Sequence, residues 1–234
     1  MAGLIVVVAL LVLALFWAAR GRLSQPEGRP VLKITVTKNV GQPTAAELAF
    51  RERLKQATAL KRAGQWGDAV STLQAAVADA RPHGVEIDLA TRIRVAQYLH
   101  GAGQRDTAWG EFNQLLIEAS KFSPDRTVRP MIESEIYSKM ALALQREERW
   151  VDYANVALLA QLSWMKGLSL QRRTEELARV SAPVAMADFL RDALAKTGRP
   201  GKLAEVQSVV TEALAKLDTV NLASVRRRVS ALLV

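Results

Sequence analysis

The chain has 234 residues, of which 50% are apolar and 24% charged, a composition that specifies a folded protein and excludes a disordered one. With no cysteine, disulfide scaffolds, thiol nucleophiles and cysteine-ligated metals are excluded, and the two histidines, His83 and His100, stand in no His/Asp/Glu set with metal-binding or acid–base spacing. The formal charge of +9 is concentrated rather than spread: residues 1–43 carry +4 and the rest of the chain +5, so no basic face of the kind that binds nucleic acid is indicated.

Residues 2–19, AGLIVVVALLVLALFWAA, form an uninterrupted apolar run that would span about 27 Å as a helix, enough to cross a bilayer core. The expectation is a single transmembrane anchor over residues 1–20, with Trp17 at the interface and Arg20 and Arg22 reaching lipid phosphates. A cleaved signal peptide fits less well, because no basic residue precedes the run and Phe16 and Trp17 interrupt most small-x-small cleavage frames. Positive charge follows the run and none precedes it, which predicts a single-pass membrane protein with a cytoplasmic body; a body on the exported side is the alternative.

Residues 21–43 read as a juxtamembrane linker, punctuated by Pro26, Gly28, Pro30, Gly41 and Pro43. Inside it, residues 31–38 alternate apolar and polar side chains over a strand-like length. One strand is unstable alone, so it would pair with another edge or stay extended, and an extended linker is the simpler reading.

Thr44 followed by Glu47 is a capping-box signature and starts a helix. Beyond it, Pro82, Pro124, Pro130, Pro183 and Pro200 all fall between segments of helical apolar period, so the body is expected to be all-α. Helices are predicted at 45–63, 66–81, 85–102, 104–122, 131–148, 150–166, 169–181, 184–197, 201–217 and 219–233.

Three consecutive helix pairs within residues 44–167 share a pattern: Ala57, Leu60, Gly64, Trp66, Ala69, Leu73, Ala76; then Ala96, Leu99, Gly103, Arg105, Ala108, Phe112, Leu115; then Ala141, Leu144, Glu148, Trp150, Tyr153, Ala157, Ala160. Small residues allow close helix approach and the glycines supply a left-handed turn. This order of small, large, turn, aromatic, small and large resembles the tetratricopeptide repeat family, with departures at Glu148, Tyr153 and Arg105 and a longer period. The resemblance implies an α-solenoid of helix hairpins, with residues 168–234 as a C-terminal helical cap. It also implies a groove lined by the first helix of each pair, placing Arg51, Thr58, Lys61, Arg62, Gln97, His100, Gln145 and Arg146 on the partner-binding side. A groove so polar and basic would favour an acidic or C-terminal carboxylate ligand.

Other motifs carry little. Ser163-x-x-Lys166 and Lys196-Thr197-Gly198 match two signatures of penicillin-binding enzymes but fall in helical patterns without the third motif. Gly101-x-Gly103 lacks a preceding strand and a third glycine, and the stretch Gly198–Lys202 lacks the spacing of a phosphate loop. Glu133, Glu135, Glu147, Glu148, Glu175 and Glu176 read as solvated helix faces. At the C-terminus, Leu222, Val225, Val229 and Leu232 form an apolar stripe beside Arg226, Arg227 and Arg228, which would dock on the preceding hairpin or lie on an anionic membrane. Taken together the chain is expected to be a membrane-anchored interaction adaptor, a subunit or assembly factor of a membrane complex, binding a protein or peptide without cofactor, metal or nucleic acid. An exported chaperone and an enzyme with an unrecognised site are the alternatives.

Overall fold

The computed structural model describes residues 42–123, 125–181 and 183–234, and residues from Pro43 onward form one compact unit. Among the described residues there is no strand, and ten α-helices follow one another: α1 Ala45–Arg62, α2 Trp66–Ala80, α3 Leu89–Gly101, α4 Arg105–Ile117, α5 Arg129–Arg146, α6 Trp150–Leu170, α7 Thr174–Val180, α8 Pro183–Ala195, α9 Leu203–Ala215 and α10 Leu222–Leu233. The Thr44 cap forms as the sequence predicts: the Glu47 amide donates to Thr44 Oγ1 at 3.1 Å and the Thr44 amide donates to the Glu47 carboxylate at 2.8 Å. Pro130 lies in the first turn of α5 and Pro183 opens α8, positions where a missing amide costs nothing.

Four of the connections are the same turn. After α1, α3, α5 and α6 the chain passes through one residue in the left-handed region, Gly64 (φ 79°), Gly103 (φ 81°), Glu148 (φ 58°) and Arg172 (φ 57°). The next amide, of Gln65, Gln104, Arg149 or Arg173, donates back to the carbonyl of Leu60, Leu99, Leu144 or Leu168 at 2.9–3.1 Å. This double-bonded helix stop satisfies the last carbonyls and reverses the chain within three residues. The fourth instance, at Leu168–Arg173, was not anticipated, because the sequence reading breaks the helix at Gly167. The structure carries α6 on to Leu170, and Gly167 instead makes room for Met131, whose side chain a Cβ there would overlap.

Three hairpins result, α1/α2, α3/α4 and α5/α6, stacked in chain order. Ala57 (0% exposed), Ala96 (0%) and Ala141 (5%) sit at the close approaches inside them. The first two hairpins carry the same ion pair in the same register, Arg53 with Asp79 and Arg92 with Glu118, each joining residues 26 apart. In the third hairpin the equivalent positions hold Tyr137 and Ser163. On one side of α6, Val156 and Ala157 join a core with Ile93, Phe112, Ile132 and Ile136. On the other, Leu158, Leu162 and Met165 face Leu190, Leu194, Val206, Val210, Val225 and Val229 from α8, α9 and α10. The C-terminal helices thus cover an apolar face that the third hairpin would otherwise leave bare. The α10 stripe is spent in this core, which removes the alternative of a membrane-surface helix.

The membrane component of the expected fold class and localisation is corrected. Among the described residues no helix is long and apolar enough to cross a membrane. The longest, α6, contains Asp152, Gln161 and Lys166 and spends its apolar faces on α5 and on the C-terminal helices. The single-pass assignment with a cytoplasmic body is therefore not supported. The anchor read at residues 2–19, with Trp17, Arg20 and Arg22, and the strand-like stretch at residues 31–38 lie outside the described residues.

Two stability outcomes follow from these contacts. Ala96→Leu should overpack the second hairpin and cost about 1–3 kcal/mol in chemical denaturation of the full chain. Glu148→Gly and Arg172→Gly should each stabilise by about 0.5–1 kcal/mol, because both residues are exposed and hold a backbone conformation that glycine adopts without a Cβ clash.

Candidate partner-binding surface

The first helices of the hairpins, α1, α3 and α5, carry every residue that the sequence assigns to a groove. Arg51, Lys61 and Arg62 on α1 and Arg146 on α5 are exposed, and none has an acidic partner among the described residues. Lys61 instead places its ammonium over the Trp66 ring, 5.8 Å from the centroid. Of the other cations on the same helices, Arg53 pairs with Asp79, Lys55 with Glu52, Arg92 with Glu118, Arg129 with Glu133 and Lys139 with Glu135, while the half-buried Arg94 has no acidic partner among the described residues. Hydrogen bonds from Gln114 and Lys121, with the charges of Lys121 and Arg92, outweigh desolvation and hold the Glu118 carboxyl down at about 2. Leu142, at the position equivalent to Thr58 and Gln97, is 40% exposed and adds an apolar group to this row.

The polar candidates are placed less openly. Thr58 is half-buried, donates to the Leu54 carbonyl at 2.8 Å and lies 3.5 Å from the Tyr98 hydroxyl, while Gln97 and Gln145 are half-buried and have no side-chain partner among the described residues. His100 does not line an open wall. Its ring is inside the molecule, where Nε2 meets Glu147 Oε1 at 2.9 Å, and each of the two side chains is 6% exposed. No hydrogen bond or ion pair joins Arg62, Gln97 and Arg146 to one another.

The two junctions between hairpins differ in chemistry. Between the first and second, the Trp66 ring lies against Gly101, where a Cβ would overlap it, and edge-on to Tyr98 at 6.0 Å. Gly101 is the counterpart of Arg62 and Arg146, and Trp66 is the counterpart of Arg105, so the second junction cannot repeat this apolar knob. A buried polar cluster stands there instead. Glu147 accepts from Trp109 Nε1 at 3.3 Å, meets His100 and pairs with Arg149 at 3.2 Å, and Arg149 lies over the Trp109 ring at 5.9 Å. Burial pushes the Glu147 carboxyl up, but hydrogen bonds from His100, Arg149 and Trp109 more than offset it, leaving the group below its ordinary value.

The sequence reading assigned Glu147 to a solvated face. A signal for the cluster was present in paired departures from the pattern. Glu147 stands where the other hairpins have Ala63 and Ala102, and His100 stands where they have Lys61 and Gln145. The Ser163/Lys166 pair offers no reactive arrangement, since Ser163 is 0% exposed and Lys166 Nζ donates to the Val220 carbonyl at 2.9 Å. Among the described residues no three His, Asp or Glu side chains converge as metal ligands.

The depressed carboxyl fixes the sign of a pH effect. A group lowered in the folded state contributes stability above its ordinary value of 4.5, and that contribution is lost as pH falls towards the folded value. Glu147→Gln should destabilise the chain by about 1–3 kcal/mol at pH 7, because it leaves buried donors poorly matched. The gap between the wild type and this variant should narrow as denaturation midpoints are measured from pH 5 down to pH 3.

Comparison of the chain with family models, with curated proteins and with solved structures found no match.

Proposed function

We propose that this chain is a non-enzymatic helical-repeat scaffold that binds an acidic protein or peptide along the row of first helices α1, α3 and α5. The observation that carries the reading is the division among the cations of that row. Arg53 and Arg92 are neutralised within their own hairpins, whereas Arg51, Lys61, Arg62 and Arg146 are exposed and have no acidic partner among the described residues. Arginine keeps its charge and makes bidentate hydrogen bonds to carboxylates, so an uncompensated set on stacked helices suits an acidic chain better than a small neutral ligand.

The likeness to tetratricopeptide repeats belongs to this reading. It is supported by the recurrence of one turn geometry at Gly64, Gly103 and Glu148 and by the equivalent ion pairs Arg53–Asp79 and Arg92–Glu118. The exposed Leu142 beside Arg146 would give a bound segment an apolar contact between its acidic ones.

Binding of a fluorescein-labelled glutamate-rich peptide with a free C-terminal carboxylate, followed by anisotropy with the full chain, tests the proposal. The double reversal R62E/R146E should raise Kd about tenfold or more, whereas R172E/R173E, outside the row, should change it by no more than about threefold. Equal losses would mean that general electrostatics attracts the peptide, and absence of binding would remove the acidic partner.

A further inference from the structure

The outward face of α10 has a shape and charge that the functional reading above does not use. Its inward residues Val225, Val229 and Leu233 are buried in the core against α6, α8 and α9, which fixes the rotation of the helix. To one side of them, Ala223, Arg226, Arg227 and Ser230 line a shallow depression of about 610 Å³. These four residues are spaced i, i+3, i+4 and i+7, the arrangement that makes one hole on a helix surface for a side chain from a facing helix. The ends of the hole are the small Ala223 and Ser230, and its flanks are two arginines.

Charge decides what such a hole accepts. Arg228, the neighbour in sequence, is occupied by Glu212 at 2.7 Å. Arg226 and Arg227 are exposed and have no ion pair or hydrogen bond among the described residues. Arginine, which flanks this hole on both sides, is among the side chains that protein interfaces favour at their centres. A single-stranded nucleic acid would need aromatic faces for stacking along a track of cations, and the residues that line this hole include no aromatic side chain.

We propose that α10 is a docking face for an acidic amphipathic helix of a partner protein. One apolar side chain of that helix fills the hole between Ala223 and Ser230, and carboxylates three and four residues to either side pair with Arg226 and Arg227. Spacing of three and four residues returns to the same helix face, so one ridge can present the knob and its flanking acids together. The residues of this hole all belong to α10 and to none of the first helices, so the proposal stands or falls without the one above.

The test uses the full chain and two labelled peptides of identical composition. The first is a helix former with leucine at the centre of one face and glutamates three and four residues to either side. The second carries the same residues in an order that places no glutamate at those spacings. The first should bind saturably and the second about tenfold more weakly. The charge reversal R226E/R227E should weaken the first peptide about tenfold or more, and R226Q/R227Q less than that. Ala223→Trp, which fills the hole and leaves the charge unchanged, should weaken it as well. The substituted positions Ala223, Arg226 and Arg227 are exposed, and circular dichroism and thermal melts identify any variant whose fold has changed. Equal binding of the two peptides, or wild-type affinity of Ala223→Trp, would overturn the helix-in-hole reading. A loss with R172E/R173E as large as with R226E/R227E would overturn the site itself. The R62E/R146E variant should retain full affinity for the helical peptide, and loss there would overturn the separateness of this face.

Discussion

A helix with an apolar stripe must bury it against another element, and here the way back is a single left-handed residue. At each of four helix ends an amide reaches the carbonyl of a leucine five residues earlier, so the chain reverses within three residues and brings the next helix alongside. Everything else in the stack depends on that reversal. It sets the register in which Ala57, Ala96 and Ala141 meet their mates, and it places Arg53 opposite Asp79 and Arg92 opposite Glu118. Glycine makes the turn without a steric penalty at Gly64 and Gly103. At Glu148 and Arg172 the same geometry persists because the surrounding packing imposes it.

Stacking of the hairpins uses two different solutions to one problem. At the first junction, shape complementarity between the Trp66 ring and Gly101 fills the space with apolar atoms. At the second, both counterpart positions are arginine, and contact is made by a cluster in which one carboxylate serves His100, Trp109 and Arg149. Such a cluster contributes direction more than raw stability, since desolvating Glu147 opposes the hydrogen bonds that hold it. Acid is accordingly expected to weaken the second junction.

The surface follows from what the interior consumes. Ion pairs across the hairpins use Arg53 and Arg92, the core uses the apolar side of α10, and Glu212 uses Arg228. Among the cations left without an acidic partner are Arg51, Lys61, Arg62 and Arg146 on the first-helix row and Arg226 and Arg227 on α10, while Arg105, Arg126, Arg172 and Arg179 lie elsewhere.

Much of this architecture was legible before any coordinates. The cap at Thr44, the punctuation by proline, the all-helical body and the alignment of Ala57, Ala96 and Ala141 all depend on interactions within a turn or two, which a linear pattern records. The continuation of α6 through Gly167 was not legible, since a glycine reads as a break unless the side chain that needs its space, here Met131, is known. Nor was the burial of Glu147 and His100, which lie 47 residues apart and meet only when the second and third hairpins stack. Local propensity and periodicity thus determined which segments are helices and, except at the end of α6, where they turn. The tertiary structure alone decided which charges are spent inside, because desolvation and pairing depend on what the packed neighbours bring, and sequence distance does not encode that.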